Sequence, residues 1–188
     1  MNKQLQCLLK TFADFDEREL DVICRAFKYK KVNKNALLLN QGEICKEVYY
    51  VTKGCIRTFF ITKQGSEKTR LINLEGSIGT AFSSFVNRTS SFEMIETIED
   101  TELLAINYND FYRLIDEINH WRDFYQKLLE MAYTFQNKKI EQLVTLTAKQ
   151  RYDLVLKENP ALVQRVSNKV LASYLDIREE TLSRIKNK

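Results

Sequence analysis

The chain has 188 residues, 29 Lys plus Arg against 25 Asp plus Glu, and a net charge of +4. That length holds one medium domain and a small one, with enough apolar content for real cores. The start, Met1-Asn-Lys-Gln-Leu-Gln, is polar and no apolar run approaches ~20 residues, so neither a secretory signal nor a membrane span is expected, and the cytoplasm is the expected compartment.

Residues 1–27 read as helical. Asp16 is placed to cap Glu17–Phe27, whose Leu20, Ile23, Cys24 and Phe27 form an apolar stripe. From about Tyr29 to Ile106 the pattern turns to short strands rich in Val, Ile, Phe, Tyr and Thr. Turn signals break them at Asn33-Lys-Asn35, Gln41-Gly42-Glu43, Lys53-Gly54, Lys63-Gln-Gly65 and Glu75-Gly76, which predicts an antiparallel barrel or sandwich. Phe59, Phe60, Phe82, Phe85, Phe92 and Met94 give it an aromatic content, of which strand alternation sends about half inward. Cys7, Cys24, Cys45 and Cys55 are scattered, without a Cys-x-x-Cys pair or a neighbouring histidine, so no metal site and no cofactor are expected and free thiols are the default.

After Tyr108-Asn109-Asp110 the pattern is helical. Trp121, Tyr125, Leu128, Ala132 and Phe135 recur at four-three-four-three spacing, a heptad-like seam that suits a two-fold partner helix. His120, the sole histidine, reads as a surface or capping residue rather than a haem ligand. Gln150–Leu156 opens a small C-terminal unit, and Pro160 is expected to mark a loop before the last motif. The charge is uneven: from Asn137 onward eleven Lys/Arg face six Asp/Glu (+5), leaving 18 against 19 (−1) before it.

The final segment carries the most information. Ser167 or Asn168 can cap a short helix that buries Val170, Leu171 and Tyr174, and Leu175-Asp176-Ile177 makes a tight corner. A second helix then buries Leu182 and Ile185, with Thr181 inward, and leaves Arg178, Glu179, Glu180, Ser183, Arg184 and Lys186 outside. This is the layout of a helix-turn-helix whose second helix enters the major groove. An ordinary αα-hairpin shares the apolar spacing but gives no reason for Ser183 and Arg184 to lie side by side, one turn after Glu180. Six residues separate Pro160 from Ser167, too few for a wing hairpin, so the wing is expected to be reduced or absent.

In order, a helix, a glycine-punctuated barrel, a long helix and a terminal helix-turn-helix resemble the bacterial Crp/Fnr regulators. The sharpest similarities are Glu180-Thr-Leu-Ser-Arg184 and Gly42…Tyr49-Tyr-Val-x-x-Gly54, with Gly65 and Gly76-Ser-Ile-Gly79 where that family has glycines. The resemblance implies an α+β protein: a cyclic-nucleotide-binding-like jelly roll at 1–108, a helical region with the long dimerisation helix at 109–146, and the helix-turn-helix at 147–188. It also implies a dimeric transcription factor on a palindromic operator, with RNA polymerase as a candidate further partner and an effector of unassigned identity. A sensor or scaffold that does not touch DNA is the alternative. Nothing in the sequence suggests an enzyme: it has no Ser/His/Asp or Cys/His arrangement, no Walker-type loop and no metal cluster.

By that resemblance Glu180, Ser183 and Arg184 face base edges, and their chemistry agrees: Arg bonds guanine, a carboxylate accepts from cytosine, Ser serves either. Arg178 and Glu179 flank them, while Lys169, Lys186 and Lys188 are the phosphate candidates. The expected ligand pocket comprises Gly79, Thr80, Arg88 and Ser91. Thr80 and Ser91 stand where cyclic-nucleotide-binding members have a Glu for the ribose and an Arg for the phosphate, so both charged anchors are missing. Arg88 is left as the one nearby substitute, and a pocket without its Arg is not expected to hold cyclic AMP.

Overall fold

In the computed structural model, which describes residues 3–187, the chain opens with α1 (Lys3–Lys10) and α2 (Glu17–Ala26). Asp16 accepts the Glu19 N–H (2.8 Å) while the Glu19 carboxylate accepts the Asp16 N–H (3.0 Å), a reciprocal cap that fixes where α2 begins. Leu20 and Ile23 are buried.

Eight strands follow: β1 (Lys28–Val32), β2 (Leu37–Leu39), β3 (Glu47–Lys53), β4 (Ile56–Ile61), β5 (Glu67–Asn73), β6 (Ile78–Gly79), β7 (Met94–Thr97) and β8 (Thr101–Asn107). They form two antiparallel four-stranded sheets, ordered β1-β8-β3-β6 and β2-β7-β4-β5, the crossed-over arrangement of a jelly roll. Gly54 is needed at the β3–β4 turn: its φ is +93°, and a Cβ would lie 2.7 Å from the Asp100 carbonyl oxygen. The short α3 (Phe82–Asn87) interrupts the strands. Between the sheets lie Val51, Ile56, Ile95, Leu103 and Ile106. Of the aromatic side chains expected to line the barrel only Phe59 and Phe85 are buried. Phe82 and Phe92 are exposed, and Phe60 packs on Phe92 outside (5.9 Å between ring centroids).

Asn107 caps α4 (Tyr108–Glu117), and α5 (Asn119–Thr145) then runs for 27 residues. Its first two turns close the barrel: Trp121 and Phe124 are buried, and the Trp121 indole donates to the Phe111 carbonyl (3.1 Å). His120 sits half-exposed and pairs with Glu19 (2.8 Å), which raises its pKa.

A reciprocal cap between Thr147 and Gln150 starts α6 (Ala148–Glu158), followed by α7 (Pro160–Arg165), α8 (Asn168–Tyr174) and α9 (Glu179–Lys186). Pro160 does not mark a loop: it is the first residue of α7, where its missing N–H costs nothing, and Asn159 caps it. No strand lies among the described residues after Asn107.

Candidate functional site

Ser167 accepts the Val170 N–H and sets the start of α8, which buries Val170, Leu171 and Ala172. Asp176 then takes a left-handed conformation (φ 53°), and the Ile177 N–H reaches back to the Ala172 carbonyl (3.0 Å). That reversal aims α9 away from α8. The Thr181 and Leu182 N–H groups both donate to the Arg178 carbonyl (3.1 Å), and Leu182 is fully buried. Thr181 and Ile185 are half-buried, so Ile185 is a margin of this small core rather than its interior.

At about 100° per residue, Glu180, Ser183 and Arg184 share the face opposite Leu182. They are exposed, as are Arg178 and Glu179, and the side chains of all five make no hydrogen bond or ion pair with the described residues. Glu179 and Glu180 also favour the positive end of the α9 dipole, a local role that needs no partner. Lys186 donates to Asn168 (2.6 Å) and Lys169 to Glu67 (2.9 Å), so the barrel already engages one of the expected phosphate contacts; Lys188 lies outside the described residues. Arg151, which sequence reasoning missed, clamps the corner: its guanidinium donates to the carbonyls of Leu175 (3.0 Å) and Leu146 (2.7 Å).

The α6–α9 segment shares a core with the barrel rather than hanging free. Ile72, Leu74 and Ile98 pack against the cluster around Leu171 and Leu182. Ser173 accepts the Thr69 N–H (2.7 Å) and donates to the Glu67 carbonyl (3.1 Å). Arg165 makes a fork with Glu75 (2.6 and 2.7 Å) and also binds Glu99. The Arg165 guanidinium holds the Glu75 carboxyl down at about 2. Lys68 pairs with Asp176. Lys139 of α5 donates to the Arg70 carbonyl (2.6 Å) and lies 3.8 Å over the Tyr174 ring, while burial pulls its ammonium down to about 7.

The expected ligand pocket is only partly brought together. Thr80 lines an open cleft of about 720 Å³ between the barrel, α1 and α5. Its hydroxyl is committed, donating to the Glu47 carbonyl (3.0 Å). Gly79 lies behind, where a Cβ would come 2.8 Å from Asn73 Oδ1. Ser91 is buried and closes on Glu93 (2.8 and 3.0 Å), away from the cleft wall. Arg88 is already engaged elsewhere. Its guanidinium donates to the carbonyls of Cys45 (2.6 Å) and Phe85 (3.3 Å) and lies 4.2 Å over the Tyr108 ring. All four cysteines are free; Cys45 and Cys55 are both buried, and burial pushes the Cys55 thiol up to about 12.

The stripe expected to be a dimer seam is corrected in its first half. Trp121 is 1% exposed inside its own barrel. Tyr125 packs against Phe111 (5.4 Å), and Leu128 against the same core. Leu128, Ala132 and Phe135 then face the cleft. A second stripe, Leu129, Tyr133, Gln136, Ile140 and Leu143, repeats the four-three-four-three spacing about 100° around the helix. Tyr133 (71%), Ile140 (58%) and Val144 (79%) are open to solvent.

Residues 29–118 match the family model of the cyclic nucleotide-binding domain. No curated protein matches the sequence. Among solved structures, the chain is similar to the catabolite activator protein of Thermus thermophilus (TM-score 0.61, 22% identity, covering 94% of this chain and 84% of that one). It is similar also to FixK2 of Bradyrhizobium japonicum (0.74, 17%, 86% and 83%). A third is a crystallised Eubacterium rectale protein assigned to the crp/fnr family of transcriptional regulators (0.72, 19%, 93% and 83%). At these identities the likeness is one of fold.

Proposed function

We propose that this chain, whose barrel is of the cyclic nucleotide-binding kind and whose fold is that of the Crp/Fnr transcription regulators, is a dimeric, sequence-specific DNA-binding regulator that does not use cyclic AMP. The observation that carries the reading is the outer face of α9. Glu180, Ser183 and Arg184 stand together, exposed and uncommitted to any described residue, around a helix held from beneath by Leu182. Side chains kept only for solubility need no such grouping, whereas a helix in the major groove needs a donor fork and an acceptor at its N-terminal half.

Arg184 is the guanine reader, Glu180 the acceptor for cytosine, and Ser183 the adaptable third contact. Lys186 and Lys169 meet phosphates, Lys169 on exchanging Glu67 for DNA. The outer stripe of α5 pairs with that of a second copy, setting two α9 helices on the half-sites of a palindrome. Thr80 and Ser91 stand in place of charged anchors, Arg88 is tied to Cys45, and Arg70, the one cation of the cleft wall among the described residues, is paired with Glu93. The protein works as a cytoplasmic regulator, with no catalytic role proposed.

A gel shift on random duplex DNA across a salt series is the first test: a shift that weakens steeply with salt supports DNA binding, and none at low salt favours the scaffold alternative.

A further inference from the structure

We propose that a second, smaller cavity, of about 100 Å³ where α5, α6 and α8 meet, is a binding site for a small oxyanion of the size of acetate or inorganic phosphate. The long helix contributes Lys139 and Gln142 to its wall, α6 contributes Arg151 and Val155, and Tyr174 and Leu175 close it from the end of α8. A water takes about 30 Å³ of liquid, so the cavity holds roughly three waters' worth of ligand. That is too little for a nucleotide and suits a single carboxylate or phosphate group.

The charge on that wall decides the ligand class. Lys138 and Glu158, both half-exposed, also line it and neutralise each other (3.1 Å). Lys139 and Arg151 are half-buried, and neither forms an ion pair with the described residues. Lys139 spends one of its three N–H donors on the Arg70 carbonyl (2.6 Å) and sets its ammonium 3.8 Å over Tyr174, a ring of the same wall. Arg151 spends Nε and Nη1 on the carbonyls of Leu175 and Leu146, and its Nη2 makes no hydrogen bond to the described residues. The other charges around Lys139 are already taken: Asp176 pairs with Lys68, and Arg70 with Glu93. Half-buried cations without a counter-ion lose water without compensation. Burial and the like charge of Arg70 accordingly outweigh Asp176 and bring the Lys139 ammonium down to about 7. One oxyanion accepting from both groups supplies the missing charge. Because Arg151 also holds the corner from which α9 departs, the ion ties the long helix to the reading unit. That consequence rests on the reading of α9 as a DNA reader; the site itself does not.

The test follows backbone amide NMR shifts of the full chain titrated with sodium acetate and with sodium phosphate, against sodium chloride at matched ionic strength. The site predicts saturable shifts around residues 135–143 and 151–158 with an oxyanion and no saturation with chloride. Affinity should fall by about tenfold or more in Lys139→Gln. It should fall equally in Gln142→Trp, which fills the cavity without removing a charge and carries the test should Lys139→Gln fail to fold. Lys149→Gln, outside the wall and paired with Asp153, should change nothing. Acetate keeps its charge between about pH 6 and 8, so its binding to the native chain should weaken across that range as Lys139 loses its proton. Lys139→Arg should bind without that dependence. Shifts that merely track ionic strength, undiminished binding by Lys139→Gln and Gln142→Trp, or an acetate affinity indifferent to pH would overturn the proposal. Competition by cyclic AMP for the same shifts would overturn the size class. Gel shifts on the same samples keep the two readings apart: oxyanion binding without DNA binding sinks the regulator, and DNA binding without oxyanion binding sinks only this site.

Discussion

Arg184 and Lys186 lie two residues apart on α9, yet they should fail differently when cut back to Ala. Removing a bidentate base contact costs roughly 1–3 kcal/mol and relaxes choice at one base pair per half-site. Removing a phosphate contact weakens all sequences alike and flattens the salt slope by about one. Fluorescence anisotropy on matched and single-mismatch duplexes distinguishes them, and equal losses on every sequence for Arg184→Ala would remove it as a reader. Calorimetry with cyclic AMP should give no dissociation constant below about 10 μM, near −7 kcal/mol. The identities of Thr80 and Ser91 were enough to expect this. The fate of Arg88 was not readable, because its carbonyl partner at Cys45 lies 43 residues away in the chain. Arg151 escaped notice for the same reason: an arginine at the edge of a helix gives no sign that it will clamp a corner 24 residues later.

Among the elements, α5 shows where periodicity stops being informative. The spacing of Trp121, Tyr125, Leu128, Ala132 and Phe135 correctly predicts a helix with an apolar stripe, but a stripe looks alike whether its partner is the chain's own barrel or another copy. The three aromatic side chains around Trp121 settle it, since Phe27, Phe111 and Phe124 all pack on that indole (6.3, 5.3 and 4.8 Å). The proposed dimer therefore rests on the neighbouring stripe. Tyr133→Asp with Ile140→Asp should turn the dimer into monomers in sedimentation and lower operator affinity with it, leaving the melting temperature of the monomer nearly unchanged. Leu128→Asp should instead destabilise the fold by about 1–3 kcal/mol, read by urea unfolding, because it puts a carboxylate against the chain's own core. A Tyr133/Ile140 double variant that stays dimeric would refute the pairing. The capped helices were more legible: Asp16, Ser167 and the Leu175-Asp176-Ile177 corner each act through bonds within a few residues, and the local sequence contains both partners.

At the scale of the whole molecule the order of elements could be read, but not the docking of α7 and α8 on the barrel. Arg165–Glu75 spans 90 residues and Ser173–Thr69 spans 104, and no local pattern encodes either. The docking has a pH signature. Glu75 is held at about 2 in the folded chain against its ordinary 4.5, so its contribution is complete above about pH 4.5 and fades as pH falls toward 2. Glu75 is partly exposed, so solvent screens the pair and the effect is modest. Arg165→Met should lower stability at pH 7 and lose part of the acid dependence seen in urea midpoints between pH 5 and 3. Parallel pH curves for the two proteins would show that the fork does not hold the units together.

The central claim, that α9 reads DNA for a two-fold regulator, is tested most directly by selecting bound sequences from a random duplex pool with the native chain and with Arg184→Ala. The account predicts an inverted repeat for the native chain, with half-site centres about one helical turn or a multiple of it apart, and the same repeat for the variant with one position per half-site gone degenerate. A pool that yields no enriched sequence, or an identical sequence for both proteins, would contradict it.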